Sequence, residues 1–200
     1  MALQPAIPGL VLAGGRGRRM GCVDKPLVPL GGRPLLAHVV ARLAPQVGAL
    51  AIGANGDPAR FAAFGLPVLA DGEAAGAGPL AGLLAGLDWA AGLGAPALVT
   101  AAADTPFLPR DLVARLCAAA GPAGLAVAAA PEAVLHPTAG LWPVGLRAAL
   151  RADLARGERR LGGWAEAQGG CAIAVFPDPD GFFNVKTPDD LARAVTMLAG

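Results

Sequence analysis

The sequence predicts an α/β fold with a parallel sheet, carried by a single domain over residues 1–200. Two observations lead there. Short apolar runs of strand length alternate with helix-like segments, the pattern of repeated βαβ units. The chain of 200 residues is 54% hydrophobic and 16% charged, enough to bury one substantial core. A third observation places the function: Gly14, Asn55, Asp71 and Asp104 each follow a predicted strand. In an open parallel sheet, ligands bind outside the carboxyl ends of the strands, so these four residues are expected on one edge.

The first strand is expected over Ile7–Ala13, a helix over Pro34–Leu43 with proline tolerated in its first turn, and a second strand over Leu50–Gly53. Phe61 and Phe64 mark a short helix, and Pro67–Ala70 a third strand ending at Asp71. Gly78-Pro79 opens a small-residue helix through Ala91. Ala97–Ala102 reads as a buried strand that stops at Asp104-Thr105-Pro106, and Pro109–Ala119 as the helix after it. Further strands are expected at Leu125–Ala130, Thr138–Trp142 and Ala172–Phe176, and helices at Leu146–Arg156 and Leu161–Gln168. Thr187-Pro188-Asp189-Asp190 has the residues of a helix start: a threonine N-cap, proline at the first helical position, and an acid three residues on.

Composition removes several classes of function. A formal net charge of +1 does not supply the basic face that nucleic-acid binding needs. The three cysteines, Cys22, Cys117 and Cys171, have neither disulfide-framework nor zinc-ligand spacing, which suits a reducing cytoplasm. The amino terminus lacks a basic segment leading into an apolar one, and charged residues, glycine or proline interrupt every long apolar run. Neither secretion nor membrane insertion is expected.

The chemistry concentrates in Leu12-Ala13-Gly14-Gly15-Arg16-Gly17-Arg18-Arg19-Met20-Gly21-Cys22-Val23-Asp24-Lys25. Paired glycines alone are weak evidence, because 29 glycines in 200 residues give about four Gly-Gly pairs by chance and the chain has four. Gly15-Arg16-Gly17-Arg18-Arg19-Met20 starts like a dinucleotide fingerprint but lacks its last glycine, and no acid ends the second strand. Nor is it a P-loop, since Lys25 stands four residues past Gly21 and precedes Pro26. What remains is a long loop whose amides can face phosphate oxygens while Arg16, Arg18, Arg19 and Lys25 neutralise them. An arginine-rich surface loop is the plain alternative.

Asp104 is set among apolar neighbours, where an unpartnered carboxylate is costly and a divalent cation would remove the cost. Magnesium takes one or two carboxylates plus phosphate oxygens and water, so one aspartate suffices. A turn-forming or helix-capping aspartate is the competing explanation. Asn55-Gly56 and Asp71-Gly72 read locally as turns. His136-Pro137-Thr138 sits before a strand without a nucleophile beside it, and His38 falls inside the first helix. Arg156-Gly157-Glu158-Arg159-Arg160 is either a solvated connection or a cationic contact for an anionic second substrate.

Together these blocks resemble a known family. Leu12-Ala-Gly-Gly-Arg-Gly-Arg-Arg-Met-Gly21, Asp24-Lys25, Pro34-Leu35-Leu36 and His38-Val39 are similar to the opening signature of the MobA family of molybdenum cofactor guanylyltransferases. Gly78-Pro79-Leu80-Ala81-Gly82, Asp104-Thr105-Pro106, His136-Pro137-Thr138, Gly157-Glu158-Arg159-Arg160 and Asn184-Val185-Lys186-Thr187-Pro188 continue the resemblance in order, over essentially the whole chain. It implies a Rossmann-like three-layer sandwich on a mostly parallel sheet, with the nucleotide at the carboxyl edge of the strands. The implied activity is transfer of GMP from GTP to molybdopterin bearing molybdenum, with Mg²⁺ required and pyrophosphate released. Leu12, Ala13, Gly14 and Gly15 would hold GTP with Lys25; Asn55 and Asp71 would belong to the nucleotide pocket; Asp104 would bind the metal. Arg19, Lys25 and Asp104 would be the catalytic residues, and Asn184 would lie on the pterin side. Molybdenum-insertion proteins and recipient molybdoenzymes are the further partners implied.

Two positions depart from the family pattern. Ala103 replaces a residue that is often polar or cysteine, and Lys186 stands where a second asparagine is common. Related activities share most of these blocks, namely cytidylyl transfer to the same pterin and formation of another activated metabolite. Gly14-Gly15 in place of Ala-Gly favours guanylyl transfer. A non-catalytic molybdopterin carrier is the rival of another class, and the joint presence of Lys25 and Asp104 speaks against it.

Overall fold

The computed structural model describes residues 7–14, 24–74 and 76–199. Their framework is a seven-stranded sheet whose strands are β1 (Gly9–Leu12), β4 (Leu50–Gly53), β5 (Val68–Leu69), β6 (Ala97–Ala102), β7 (Ala126–Ala130), β8 (Val134–Pro143) and β9 (Ala172–Val175). Between β1 and β4 lies a separate two-stranded hairpin, β2 (Pro29–Leu30) and β3 (Arg33–Pro34). The order across the main sheet is β5-β4-β1-β6-β8-β7-β9. β5, β4, β1 and β6 are mutually parallel, β8 runs antiparallel to both neighbours, and β7 pairs in parallel with β9.

Among the described residues six α-helices accompany the strands: α1 (Leu35–Leu43), α2 (Pro79–Gly92), α3 (Leu112–Ala120), α4 (Arg147–Ala155), α5 (Leu161–Ala167) and α6 (Pro188–Ala199). The period-two alternation of the strands sorts their side chains onto two faces. Val11, Ile52, Val99 and Ala101 face α1 and α3, where Leu36, Val39, Leu112 and Leu116 are fully buried. Leu10, Ala51, Leu98 and Trp142 face α2, α4 and α5, through Leu83, Leu87, Leu150 and Trp164. Helices therefore cover both faces, giving the three-layer α/β sandwich. Each leucine so buried contributes roughly 1.5–3 kcal/mol.

The last helix starts as its sequence indicates. The Thr187 hydroxyl accepts the Asp190 amide at 3.1 Å, and the Asp190 carboxylate accepts the amides of Thr187 at 2.8 Å and Lys186 at 2.9 Å. That reciprocal cap pins the chain just after Asn184, and a cap of this kind is worth about 1 kcal/mol.

Three expectations need correction. β8 begins at Val134, so His136-Pro137-Thr138 lies inside a strand and not before it. Pro137 cannot donate to the ladder, and the register jumps from Val127↔Gly140 to Ala128↔His136, leaving residues 137–139 bulged. Pro34 belongs to β3 and caps α1 from outside, and the helix after Asp104 starts at Leu112, past Pro109. The β2–β3 hairpin, turning through Gly31 and Gly32 at φ 57° and 78°, had no counterpart in the strand-length pattern.

Candidate active site

β1 and β6 are neighbours whose continuations diverge: β1 leads to β4 on one side, β6 to β7 and β8 on the other. Such a switch point leaves a crevice at the carboxyl ends. The strand ends are locked together there, with the Ala13 amide donating to the Gly53 carbonyl at 2.8 Å and the Ala103 amide to the Leu12 carbonyl at 3.0 Å. A cleft of about 1020 Å³ opens above them. That is ample for a nucleotide, since small-molecule sites span roughly 300–1,000 Å³.

Asp104 enters the cleft from a turn fixed by Thr105, whose buried hydroxyl donates to the Ala102 carbonyl at 2.8 Å. Lys25 Nζ donates to Asp104 Oδ2, both side chains being largely withdrawn from solvent at 12% and 22% exposure. Among the described residues Asp104 Oδ1 is buried without a hydrogen-bond partner, and so is Asn184 Oδ1. Asn184 is held nearby because the amide of the next residue, Val185, donates to the Asp104 carbonyl at 2.9 Å. Two unpartnered oxygens thus belong to residues lining the same cleft, an arrangement that costs free energy unless a cation or donor is added.

On the β4–β5 side, Asn55 and Asp71 bind each other reciprocally. Asn55 Nδ2 donates to Asp71 Oδ2 at 2.6 Å, and the Asp71 amide donates to Asn55 Oδ1 at 2.9 Å. Burial pushes the Asp71 carboxyl above its usual range, and the Asn55 hydrogen bond offsets part of that rise. Pro79, at the start of α2, and Gly82 close this wall. A Cβ at Gly82 would stand 2.8 Å from Leu12 Cδ2 and 3.6 Å from Asp71 Oδ1, so the missing side chain lets the helix approach both.

The structure brings Leu12, Ala13, Gly14, Asn55, Asp71, Asp104 and Asn184 to this one cleft, with Lys25 joined through Asp104. Gly15 and Arg19 lie outside the described residues, as do Arg16, Arg18 and Cys22. Sequence reasoning missed Arg60 and gave Thr138 no role, although both line the cleft. For Thr138 a signal existed, because proline inside a strand-like run marks a bulge. For Arg60 none did: its partner Asp24 is 36 residues away in the chain.

The remaining candidates lie outside this lining. The His38 ring donates through Nε2 to the Leu30 carbonyl at 2.9 Å, a structural contact. His136 stacks on Phe182 at 4.7 Å, and its pKa is lowered first by burial and then by Lys186, so it is neutral at pH 7. In the arginine-rich loop, Glu158 accepts the amides of Arg159 and Arg160 at 2.7 Å each, which lowers its pKa. That loop reaches the cleft rim, where the Arg159 carbonyl stands 4.0 Å from the position a Cβ would take on Gly78. Partial burial raises the thiol pKa of Cys117 although that residue is exposed, and burial with the Glu166 charge raises that of Cys171, so the thiolate fraction of both is lowered. Among the described residues no cluster of three or more His, Cys, Asp or Glu could hold a metal, and no helix is long and apolar enough to cross a membrane.

Comparison with known proteins agrees with this fold. Residues 9–171 match the MobA-like NTP transferase domain. The chain is 57% identical over 190 residues to a molybdenum cofactor guanylyltransferase of Cereibacter sphaeroides, covering 95% of this chain and 96% of the relative. It is 52% identical over 200 residues to one from Bradyrhizobium sp. (strain ORS 278), covering 97% and 94%. Among solved structures, the molybdopterin-guanine dinucleotide biosynthesis protein A of Archaeoglobus fulgidus superposes with a TM-score of 0.74 at 23% identity, covering 96% of this chain and 99% of the other. A 4-diphosphocytidyl-2C-methyl-D-erythritol synthase gives a TM-score of 0.76 at 19% identity, covering 98% and 100%. At those identities the two structures speak for the fold; the sequence matches speak for kinship, and the chain belongs to the MobA-like NTP transferase family.

Proposed function

We propose that the protein transfers GMP from GTP to Mo-molybdopterin in the cytoplasm, forming molybdopterin guanine dinucleotide and pyrophosphate. The observation that carries this reading is the Lys25–Asp104 pair at the β1/β6 switch point, in a chain 57% identical to a named guanylyltransferase. The acceptor phosphate of the pterin attacks the α-phosphorus of GTP in line with departing pyrophosphate, so no protein nucleophile is required. Lys25, held in the cleft by Asp104, offsets charge on the phosphates. Arg19 is assigned the same electrostatic role from the sequence. Asn55 and Asp71 orient the nucleoside, with their reciprocal bonds limiting the side-chain freedom lost on binding.

A divalent cation fits the residues present. Asp104 Oδ1 and Asn184 Oδ1 are hard oxygen donors without partners among the described residues, and Mg²⁺ is held by few protein oxygens with phosphate and water completing its shell. Bound there, the ion would supply charge neutralisation at the transferring phosphate oxygens. Asn184, which the family resemblance assigns to the pterin side, lines the same cleft as Asp104. Delivery of molybdenum to the pterin before this step, and of the finished dinucleotide to recipient molybdoenzymes after it, are the partner encounters this chemistry calls for.

The test is pyrophosphate release by the purified protein with Mg²⁺ and Mo-molybdopterin, in parallel reactions with GTP, CTP and ATP. GTP-selective release is expected. Release with CTP would overturn the base assignment while keeping the fold and chemistry, and no release with any nucleotide would turn the protein into a carrier.

A further inference from the structure

Arg60 lines the cleft, and none of the chemistry above uses it. It stands in the Pro58–Phe64 turn after β4, with its guanidinium 4.6 Å from the ring centre of Phe61. Phe61 is buried in the core face shared with α1, so the base of the arginine is firmly seated. From that seat the guanidinium spans two partners. One terminal nitrogen donates to the Asn55 carbonyl at 2.8 Å, the other to Asp24 Oδ2 at 3.0 Å.

Both partners matter for where they sit. Asn55 is the residue whose side chain exchanges hydrogen bonds with Asp71. Asp24 immediately precedes Lys25, at the start of the one-turn 3-10 helix Lys25–Leu27, and its carboxylate makes no capping bond to that turn. It is directed to Arg60 instead. A continuous path therefore runs from Asp71 through Asn55, Arg60 and Asp24 to Lys25 and Asp104, crossing the cleft from one wall to the other. The planar fork offers each partner its own nitrogen in a fixed geometry, whereas a lysine must bring all its donors from a single nitrogen.

We infer that Arg60 is a positioning residue for the nucleotide, coupling the Asn55–Asp71 wall to Lys25 so that both walls adopt their binding geometry together. Each partner of the Arg60–Asp24 pair is 32% exposed, and a pair so open to water adds little to fold stability. Its loss is therefore read in ligand binding and not in melting. This inference rests on the nucleotidyl-transfer reading of the same cleft, and its test keeps the two separable.

Binding of GTP with Mg²⁺ is measured by calorimetry for the wild type, Arg60→Ala, Asp24→Ala, the double variant and Arg60→Lys, with melting temperatures taken on the same samples. Arg60→Ala and Asp24→Ala are each expected to weaken GTP binding about tenfold while melting within about 3 °C of the wild type. Because both break one link, the double variant is expected within about twofold of either single variant. Arg60→Lys is expected to bind no better than Arg60→Ala. Binding by Arg60→Ala within about twofold of the wild type, losses that multiply in the double variant, or full rescue by lysine would overturn the inference alone. A wild-type protein that binds no nucleotide would overturn the transfer reading and this inference with it.

Discussion

Lys25 and Asp104, 79 residues apart in the chain, form a part-buried ion pair in which only one carboxylate oxygen is used. The pairing follows from topology: Lys25 lies on the chain leaving β1, Asp104 on the chain leaving β6, and those strands are hydrogen-bonded neighbours. Neither charge is stable there alone, and each compensates the other.

Removing either charge is expected to fall on turnover. Lys25→Ala and Asp104→Ala should each lower the single-turnover rate of pyrophosphate release by about 10² or more, the usual cost of a lost electrostatic contact to a transferring phosphoryl group. A variant that retains a near-normal rate takes its residue out of the chemistry.

Asp71 carries a pH signature. Burial holds its folded-state pKa above the usual 3.8, so the ionised carboxylate subtracts from stability at neutral pH, and this deficit disappears as pH falls through the raised value toward 3.8. Asp71→Asn, which keeps an oxygen to accept from Asn55, is expected to melt higher than the wild type at pH 7 and to lose that advantage as pH approaches 4. GTP binding should weaken at the same time. Thermal melts of both proteins across this range decide the matter, and an advantage that does not change with pH would refute the burial account.

The strands that carry the site were legible because each is a short apolar run buried on both faces: β1, β4 and β6 emerge at or within their expected spans. β8 was legible only over Thr138–Trp142, since Pro137 breaks its pattern at the bulge, and its antiparallel direction is decided by pairing partners. Asp104 stood out as one acid at the end of an apolar run. Asn55 and Asp71, each followed by glycine, look like turns in isolation, and only the adjacency of β4 and β5 makes them a pair. Arg60 was invisible for the same reason, as its meaning lies wholly in residues that the fold brings to it.

The buried polar contact beneath the site also has a measurable worth. Trp142 Nε1 donates to Thr100 Oγ1 at 2.8 Å with both residues inside the core, and the indole reaches it by lying over Gly140. Thr100→Val keeps the shape and orphans the indole N–H, at an expected cost of about 1–3 kcal/mol. Urea denaturation should show a lower midpoint with an unchanged slope, and a midpoint equal to wild type would mean that the N–H has found another acceptor.

Two glycines on α2 should respond oppositely to the same substitution. A Cβ on Gly86 would fall 2.6 Å from Leu10 Cδ2 and 2.7 Å from Leu98 Cδ2, so this helix face rests directly on β1 and β6. Gly86→Ala forces two buried leucines, or the helix itself, to move, an overpacking cost of about 1–3 kcal/mol. Because α2 begins at the cleft with Pro79, a displaced helix should also weaken nucleotide binding. Gly92, at the carboxyl end of the same helix, has nothing within 4 Å of its Cβ position and no positive φ. Gly92→Ala restricts the unfolded chain without a clash and is expected to stabilise by about 0.4–1 kcal/mol. Chemical denaturation of the two variants gives the comparison directly: if both alanines shift the midpoint the same way, the close approach of α2 to the sheet is not what selects glycine at position 86.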